Sequence, residues 1–144
     1  MTRGLVAILI AVAFCGAAGA SLTEAASRPL VVVVRDGGFC VSRSACRSVL
    51  RITDTTISGD GYRPRALSAA ERRSLIRAIG ELDAGYLRRH PFRGTCPTAY
   101  DAPESVYRFR GFTPSIPACR YDVRGLQAVR LTERLLASLR PVRD

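Results

Sequence analysis

The sequence predicts an exported α+β domain: a mainly antiparallel sheet of about five strands with two helices packed on one face and two disulfides. Three observations lead to this prediction. The chain begins with an export signal and carries four further cysteines. Short β-branched or alternating segments between turns are typical of strands, and two amphipathic segments have helical spacing. The order of three strands, a helix, two strands and a helix favours helices that cover one face of an antiparallel sheet.

The first twenty residues have the three parts of a cleavable secretory signal. Arg3 supplies the positive start, residues 5–14 form an apolar run, and residues 18–20 (AGA) form the cleavage site. The run is shorter than the roughly 20 apolar residues that a membrane span needs. A lipid anchor on Cys15 is the alternative, but bulky Phe14 occupies a position where a lipidation site needs a small residue.

The domain organisation follows from this signal. We expect residues 1–20 to be the signal peptide, residues 21–29 to be a flexible leader, and residues 30–144 to be a single disulfide-stabilised domain. We expect no transmembrane span, and the mature protein is expected to be secreted or periplasmic.

The strongly basic composition limits the choice of partners. The chain has 22 basic residues, all arginine, and 12 acidic residues, which gives a formal net charge of +10. Loss of Arg3 with the signal would leave +9. The arginines are spread along the chain, with no more than pairs such as Arg72-Arg73 and Arg88-Arg89, whereas a nucleic-acid site should cluster on one face. The composition favours a basic solvated surface, keeps an anionic envelope surface as an alternative partner, and argues against a specific nucleic-acid site.

The cysteines predict the covalent framework. Cys40, Cys46, Cys96 and Cys119 remain after the signal, and an even number in an exported chain indicates two disulfides with three alternative connectivities. We favour the local pairs, Cys40–Cys46 and Cys96–Cys119. Zinc is the rival use, but no C-x-x-C motif occurs and His90 lacks the spacing of a ligand. We therefore expect no metal and no cofactor.

The first half of the chain reads as strands. Residues 30–34 (LVVVV) form a β-branched run that suits a central strand buried on both faces. Residues 48–56 alternate, with Leu50 and Ile52 on the inner face. The turn at residues 59–61 (GDG) should lead into a short third strand near Tyr62.

The first helix is predicted from Ser68 to a point between residues 85 and 89, before Pro91. Ser68 and Glu71 have the spacing of a capping box. Its apolar stripe consists of Leu75, Ile76, Ile79 and Leu82.

The second half repeats the scheme. Residues 105–110 alternate, with Tyr107 and Phe109 on the inner face, and residues 111–114 turn towards a strand that ends near Cys119 or Tyr121. The last helix carries an apolar stripe and should stop at Pro141. That stripe consists of Leu126, Val129, Leu136 and Leu139, widened by Leu131 and Leu135.

Enzyme chemistry finds little support. His90 is the only histidine and lies in a His-Pro step at a helix end, whereas a triad needs a nearby nucleophile and an orienting group. Asp101 and Glu104 lie three residues apart on one loop, while acid–base carboxylates usually face each other across a cleft. No glycine-rich phosphate loop occurs. We therefore expect a protein that is not an enzyme.

The segment 94–103 (GTCPTAYDAP) is the most distinctive. Cys96 would anchor it covalently, and Pro97 and Pro103 fix φ at two positions. A loop constrained in this way suits tight binding, because less conformational entropy is lost in the complex. The alternative is a structural connection, with Tyr100 packed inward and Asp101 capping a turn.

The motif Cys-Pro-x-x-Tyr-Asp-x-Pro, followed by a strand pair and a closing Cys, resembles the reactive-site segment of the bacterial subtilisin-inhibitor family. Those proteins are small, exported and α+β, with two disulfides, and they block serine proteases in a substrate-like manner. The resemblance covers residues 96–119 and implies a scissile-type bond between Thr98 and Ala99, with Cys96–Cys119 as the supporting disulfide. Outside this segment the chain departs from the family, since its helix from Ser68 carries no Cys. The implied reactive loop consists of Pro97, Thr98, Ala99, Tyr100 and Asp101.

The whole pattern is similar to small exported bacterial proteins of unknown function. It combines Gly-Gly-Phe-Cys at residues 37–40 with Thr-Cys-Pro-Thr-Ala-Tyr-Asp at residues 95–101. This resemblance implies a fold type and export, but no activity. The sequence thus predicts a non-enzymatic exported binding domain, most concretely an inhibitor of extracellular serine proteases through the loop 96–103. A basic protein associated with the envelope or a polyanion is the alternative, and an enzyme with an unrecognised site is the third interpretation.

Overall fold

The centre of the fold is strand β1 (Val31–Asp36), which pairs antiparallel with β2 (Arg47–Ile52) and with β6 (Glu104–Phe109). The computed structural model describes residues 28–37, 46–96 and 102–142 of the chain. The run of four valines in β1 suits this central position, because β-branched side chains pack well on a pleated surface. The predicted central strand is therefore confirmed.

In the described part of the chain, six strands form one antiparallel sheet in the order β5-β3-β2-β1-β6-β7, and β4 pairs separately with β8. This differs from the predicted five strands because the segment after β2 turns twice. Thr53 closes the first turn by donating its backbone N–H to the Thr56 carbonyl (2.8 Å), and Gly61 takes a positive φ in the second. The short strands are β3 (Thr56–Gly59), β4 (Tyr62–Arg63), β5 (Arg65–Ala66), β7 (Ile116–Pro117) and β8 (Arg140–Pro141).

Helix α1 (Ala69–Gly80) begins with the predicted capping box. The Ser68 hydroxyl accepts from the Glu71 backbone N–H (3.2 Å), and the Glu71 carboxylate accepts from the Ser68 N–H (2.9 Å). Leu75 of the predicted stripe is buried, but Ile76 is 39% exposed. Ala78, three residues after Leu75, is the buried residue on the inner face instead.

The predicted single helix from Ser68 is wrong in its second half. Helix α1 ends at Gly80, and a separate short helix, α2 (Ala84–Arg89), follows. Asp83 causes the restart, because its carboxylate accepts from the backbone N–H groups of Gly85 (2.7 Å) and Tyr86 (2.9 Å). These two hydrogen bonds lower the pKa of Asp83.

Helix α3 (Gln127–Ala137) lies against the sheet face that carries Val31 and Val33 of β1. Its Glu133 accepts hydrogen bonds from Arg35 of β1 (2.8 Å) and from the Tyr107 hydroxyl of β6 (2.9 Å). The helix ends before the predicted stop at Pro141, which instead belongs to β8. Helix α1 packs against α3.

The core lies between this sheet face and the helices. Cross-strand register aligns inward positions of three strands, as in the row of Val33, Leu50 and Tyr107, all of which are buried. The inward faces predicted for β2 and β6 are thus confirmed. On the opposite face of β1, Val34 is buried but Val32 is only half-buried, so the prediction of burial on both faces holds in part. No helix in the described ranges is long and apolar enough to cross a membrane.

Candidate functional site

The predicted disulfide Cys96–Cys119 is present, with the two Cα atoms 5.3 Å apart. It joins the segment after α2 to the turn that follows β7. Cys46 is disulfide-bonded as well, but Cys40, its predicted partner, lies outside the described residues, so that pairing stays a prediction. The Cys96–Cys119 bond fixes the start of the predicted binding loop, residues 96–103, to the edge of the sheet.

The far end of the same loop is held at the same residue. Glu104 begins β6, and its carboxylate accepts a hydrogen bond from the Cys119 backbone N–H (3.3 Å). Both ends of the segment 97–103 are therefore attached to Cys119, one by a covalent bond and one by a hydrogen bond. Pro97, Thr98, Ala99, Tyr100 and Asp101, the predicted reactive loop, lie outside the described residues, whereas Ala102 is half-buried and Pro103 is exposed.

Two chain segments run side by side next to this disulfide. Phe92 donates its backbone N–H to the Arg120 carbonyl (3.1 Å), and Asp122 donates its N–H to the His90 carbonyl (2.9 Å). A β-bridge between Pro91 and Tyr121 lies between these two bonds. Backbone pairing on one side and the disulfide on the other thus fix the position of residues 90–96 relative to residues 119–122.

His90 caps the C-terminus of α2, at the helix end where the sequence places it. Its ring stacks on Tyr86, with ring centroids 3.9 Å apart, and its Nδ1 lies 2.9 Å from the Tyr86 carbonyl oxygen. Tyr86 in turn packs on Gly125, where an added Cβ would overlap the tyrosine hydroxyl. These contacts give His90 a structural role at the junction of α2 and the turn before α3.

A cavity of about 520 Å³ opens between the two paired segments. A second cavity, of about 250 Å³ and more apolar, adjoins it and shares Phe92, Thr95, Asp122 and Arg124 with it. We call the two cavities together the arginine groove. The first cavity is lined by Arg89, His90, Pro91, Phe92, Arg93, Gly94, Thr95, Asp122 and Arg124, and the second also by Ala118, Tyr121 and Val123.

The charges of the arginine groove are poorly balanced. Arg89 contacts Asp83 at 3.3 Å, but both side chains are more than half exposed. Among the described residues, neither Arg93 nor Arg124 has a side-chain partner of opposite charge. Asp122 is the acid of the groove, and its carboxylate accepts from the Arg124 backbone N–H (3.2 Å). Arg89 thus has an exposed acidic partner, whereas Arg93 and Arg124 lie beside the half-buried Asp122 without a salt bridge to any described residue, an arrangement that favours an anion.

Arginines at the α1 side of the sheet behave differently. Asp54 accepts from Arg72 (2.9 Å) and from both terminal nitrogens of Arg110 (2.9 and 3.2 Å), and Glu71 accepts from Arg65 (2.9 Å). Arg110 first, and then Arg72, lower the pKa of Asp54. Hydrogen bonds from Arg65 and from the Ser68 backbone lower the pKa of Glu71 to about 2. We call these five residues the paired cluster.

A third polar group connects helix α3 to the sheet. Glu133 accepts from Arg35 and from the Tyr107 hydroxyl, as described above, and all three side chains are at least partly buried. Burial first, and then the Glu133 carboxylate, raise the pKa of Tyr107. The atoms that form these hydrogen bonds already have partners inside the protein. The geometry of the trio therefore fits a role in attaching α3 to the sheet.

Metal-ligating residue types come together at the disulfide, where ligand atoms of Cys96, Glu104 and Cys119 lie within 4.8 Å of one another. The two sulfur atoms are bonded to each other. A metal site would need them as thiolates, so this cluster fits a covalent anchor better than a metal centre.

Comparison with known proteins identifies no matching family model, curated protein or solved structure.

Sequence reasoning did not find the arginine groove. Arg124 lies about 30 positions after Arg93 in the chain, so the two appear as scattered charges in the sequence. The fold brings them to one cavity through the pairing of residues 90–92 with residues 120–122. The available signal was the dense run Arg88-Arg89-His90-Pro91-Phe92-Arg93, which places three arginines and an aromatic ring within six residues.

Proposed function

We propose that this chain is a non-enzymatic exported binding protein that presents residues 97–103 as its recognition loop. Inhibition of an extracellular serine protease is the most concrete form of this function. The observation that carries the proposal is the attachment of both ends of the loop to Cys119, through the disulfide and through Glu104. A loop held at both ends loses less conformational entropy on binding than a free segment does.

The attachment also suits substrate-like inhibition. If a protease cut the bond between Thr98 and Ala99, the disulfide at Cys96 would hold the new end at Thr98. Strand β6, which begins two residues after Ala102, would hold the new end at Ala99. The cut ends would stay at a high effective concentration, which favours rejoining over release. An ordinary substrate loop lacks this restraint and separates after cleavage.

The experiment is an inhibition titration of wild type and Thr98→Arg against subtilisin-, elastase- and trypsin-type proteases. Thr98→Arg should redirect the protein to the trypsin-type enzyme, whose pocket carries a carboxylate that pairs with arginine. The matched control is Thr55→Arg, which adds the same charge at an exposed position in the β2–β3 turn and should leave the specificity unchanged.

Reduction of the Cys96–Cys119 bond should convert the protein from an inhibitor into a substrate. Rapid cleavage between residues 98 and 99 by every protease, or no binding by either variant, would refute the inhibitor function.

A basic protein associated with an anionic envelope surface or another polyanion is the second candidate. The observation that favours it is the presence in the groove of Arg93 and Arg124, neither of which forms a salt bridge with a described residue. Binding to heparin or to vesicles of anionic lipid should then saturate and weaken steeply with salt. Equal small losses from Arg72→Ala, Arg93→Ala and Arg134→Ala would indicate diffuse attraction instead.

A further inference from the structure

We propose that the arginine groove binds a small organic anion, a phosphate or carboxylate group joined to an aromatic or branched aliphatic body. The site is built from residues 89–95 and 118–124, none of which belongs to the recognition loop. The proposal therefore does not depend on protease inhibition.

The charge of the site selects an anion. Arg89, Arg93 and Arg124 line one cavity with Asp122 as their acidic neighbour. Arginine recognises carboxylate and phosphate through two parallel N–H donors, and the resulting hydrogen bonds are stronger than those between neutral groups. In the described structure the side-chain donors of Arg93 and Arg124 make no internal hydrogen bond, so a ligand gains them without breaking existing bonds.

The apolar part of the site selects the rest of the ligand. The adjoining cavity is lined mainly by apolar surface from Phe92, Ala118, Tyr121 and Val123. Phe92 is half-buried and lines both cavities, so one ligand can pack an apolar body there while its anionic group reaches the arginines. A bare inorganic anion would leave this surface exposed to water.

The site is also preorganised. The ring of Phe92 lies so close to Gly94 that a Cβ added there would come within 2.7 Å of the ring Cζ. The backbone on either side of Phe92 is fixed by the Pro91–Tyr121 bridge and by the disulfide at Cys96. The backbone of the site therefore needs little ordering when a ligand enters, and the entropic cost of binding comes mainly from the exposed arginine side chains.

The size of the site excludes a large partner inside it. The main cavity, at about 520 Å³, falls within the roughly 300–1,000 Å³ range of small-molecule sites. A phenyl ring bearing one anionic group fits comfortably within that volume. We therefore use phenyl phosphate as the probe.

The experiment is calorimetric titration of the full mature protein with phenyl phosphate, inorganic phosphate and benzyl alcohol. Phenyl phosphate should bind at one saturable site. Inorganic phosphate, which lacks the apolar body, and benzyl alcohol, which lacks the charge, should each bind at least about tenfold more weakly. Phenylacetate forms a further arm: binding equal to that of phenyl phosphate would support a carboxylate ligand, and weaker binding would support a phosphate ligand.

The variants test the location of the site. Arg93→Ala with Arg124→Ala should weaken phenyl phosphate binding by about tenfold or more. The matched control, Arg73→Ala with Arg77→Ala, removes the same charge from exposed positions on α1 and should change binding less than about twofold. Phe92→Leu should reduce the preference for phenyl phosphate over inorganic phosphate, and unchanged thermal unfolding would show that each variant is folded.

Equal weakening by the two double variants would overturn the proposal, because it would show that phenyl phosphate responds only to net charge. Equal affinity for inorganic phosphate and phenyl phosphate would overturn it as well. The titration with phenyl phosphate involves neither a protease nor a residue of the recognition loop, so it and the protease titration succeed or fail independently.

Discussion

The paired cluster and the arginine groove contain the same basic side chain in two different states. In the paired cluster, Asp54 binds two arginines and Glu71 binds one, so each of the three arginines has a carboxylate partner. In the groove, Arg93 and Arg124 line a cavity without such partners among the described residues. The comparison shows that the role of an arginine in a basic protein depends on whether an acid reaches it in the fold.

The two regions are also held together by different forces. Ion pairs connect β5, α1 and the loops after β2 and β6 in the paired cluster. A disulfide, a backbone bridge and close aromatic packing hold the groove. Arg93 and Arg124 take no part in these contacts, so we expect their removal to affect stability less than removal of an acid from the paired cluster.

The largest effect should come from the covalent anchor. Replacement of both Cys96 and Cys119 by serine should lower the free energy of unfolding by about 3 kcal/mol, because the bond joins two residues that are 23 positions apart in the sequence. Denaturant titration at neutral pH measures this loss. A loss below about 1 kcal/mol would mean that backbone pairing alone holds the groove.

Close packing at Gly125 should have the next largest effect. Gly125→Ala places a methyl group against the Tyr86 hydroxyl, which must move away together with the stacked His90, and should cost about 1–3 kcal/mol. Gly80→Ala is the matched control, because nothing lies within 4 Å of the added carbon and alanine favours the helix. A neutral Gly125→Ala would show that Tyr86 is not fixed there.

The stability of variants should distinguish the paired cluster from the arginine groove. Asp54→Asn should lower the free energy of unfolding by about 1 kcal/mol, because two partly exposed arginines lose their charged acceptor. Arg124→Ala should stay within about 0.5 kcal/mol of wild type, since its side chain makes no hydrogen bond or salt bridge with the described residues. Comparable losses in the two variants would remove the distinction between the regions.

The smallest effect is the pH dependence that Glu71 of the paired cluster contributes, because its partly exposed ion pair with Arg65 is screened by solvent. The pKa of Glu71 is about 2 in the folded protein, against an ordinary value of 4.5. A carboxylate with a lowered pKa stabilises the fold above its unfolded pKa, and this contribution is lost as pH falls from about 4.5 towards 2. Glu71→Gln should flatten the stability curve in that window, measured by thermal unfolding against pH. A curve as steep as that of wild type would contradict the assignment.

Local chemistry was largely predictable from the sequence. The spacing of Ser68 and Glu71 predicted the α1 cap, the alternation around Leu50 predicted an inward strand face, and the cysteine pattern predicted the Cys96–Cys119 bond. Each of these features depends on neighbours in the sequence or on a bond with strict geometry.

Other features depended on a helix cap that competes with the apolar pattern, or on contacts between residues far apart in the sequence. The apolar pattern continued past Gly80, so only the capping ability of Asp83 marked the start of a second helix. The groove required residues 90–92 to meet residues 120–122, a pairing that no local pattern encodes. Scattered arginines therefore became a cluster only in three dimensions.

The central claim is that Arg93 and Arg124 of the groove are available to an anionic ligand and that the arginines of the paired cluster are not. Nuclear magnetic resonance of the arginine Nε–Hε groups during titration with phenyl phosphate tests it most directly. We predict saturable shifts for Arg93 and Arg124, with small shifts for Arg65, Arg72 and Arg110, whose nitrogens already bind carboxylates. Equal shifts across both groups, or shifts confined to the paired cluster, would contradict the account.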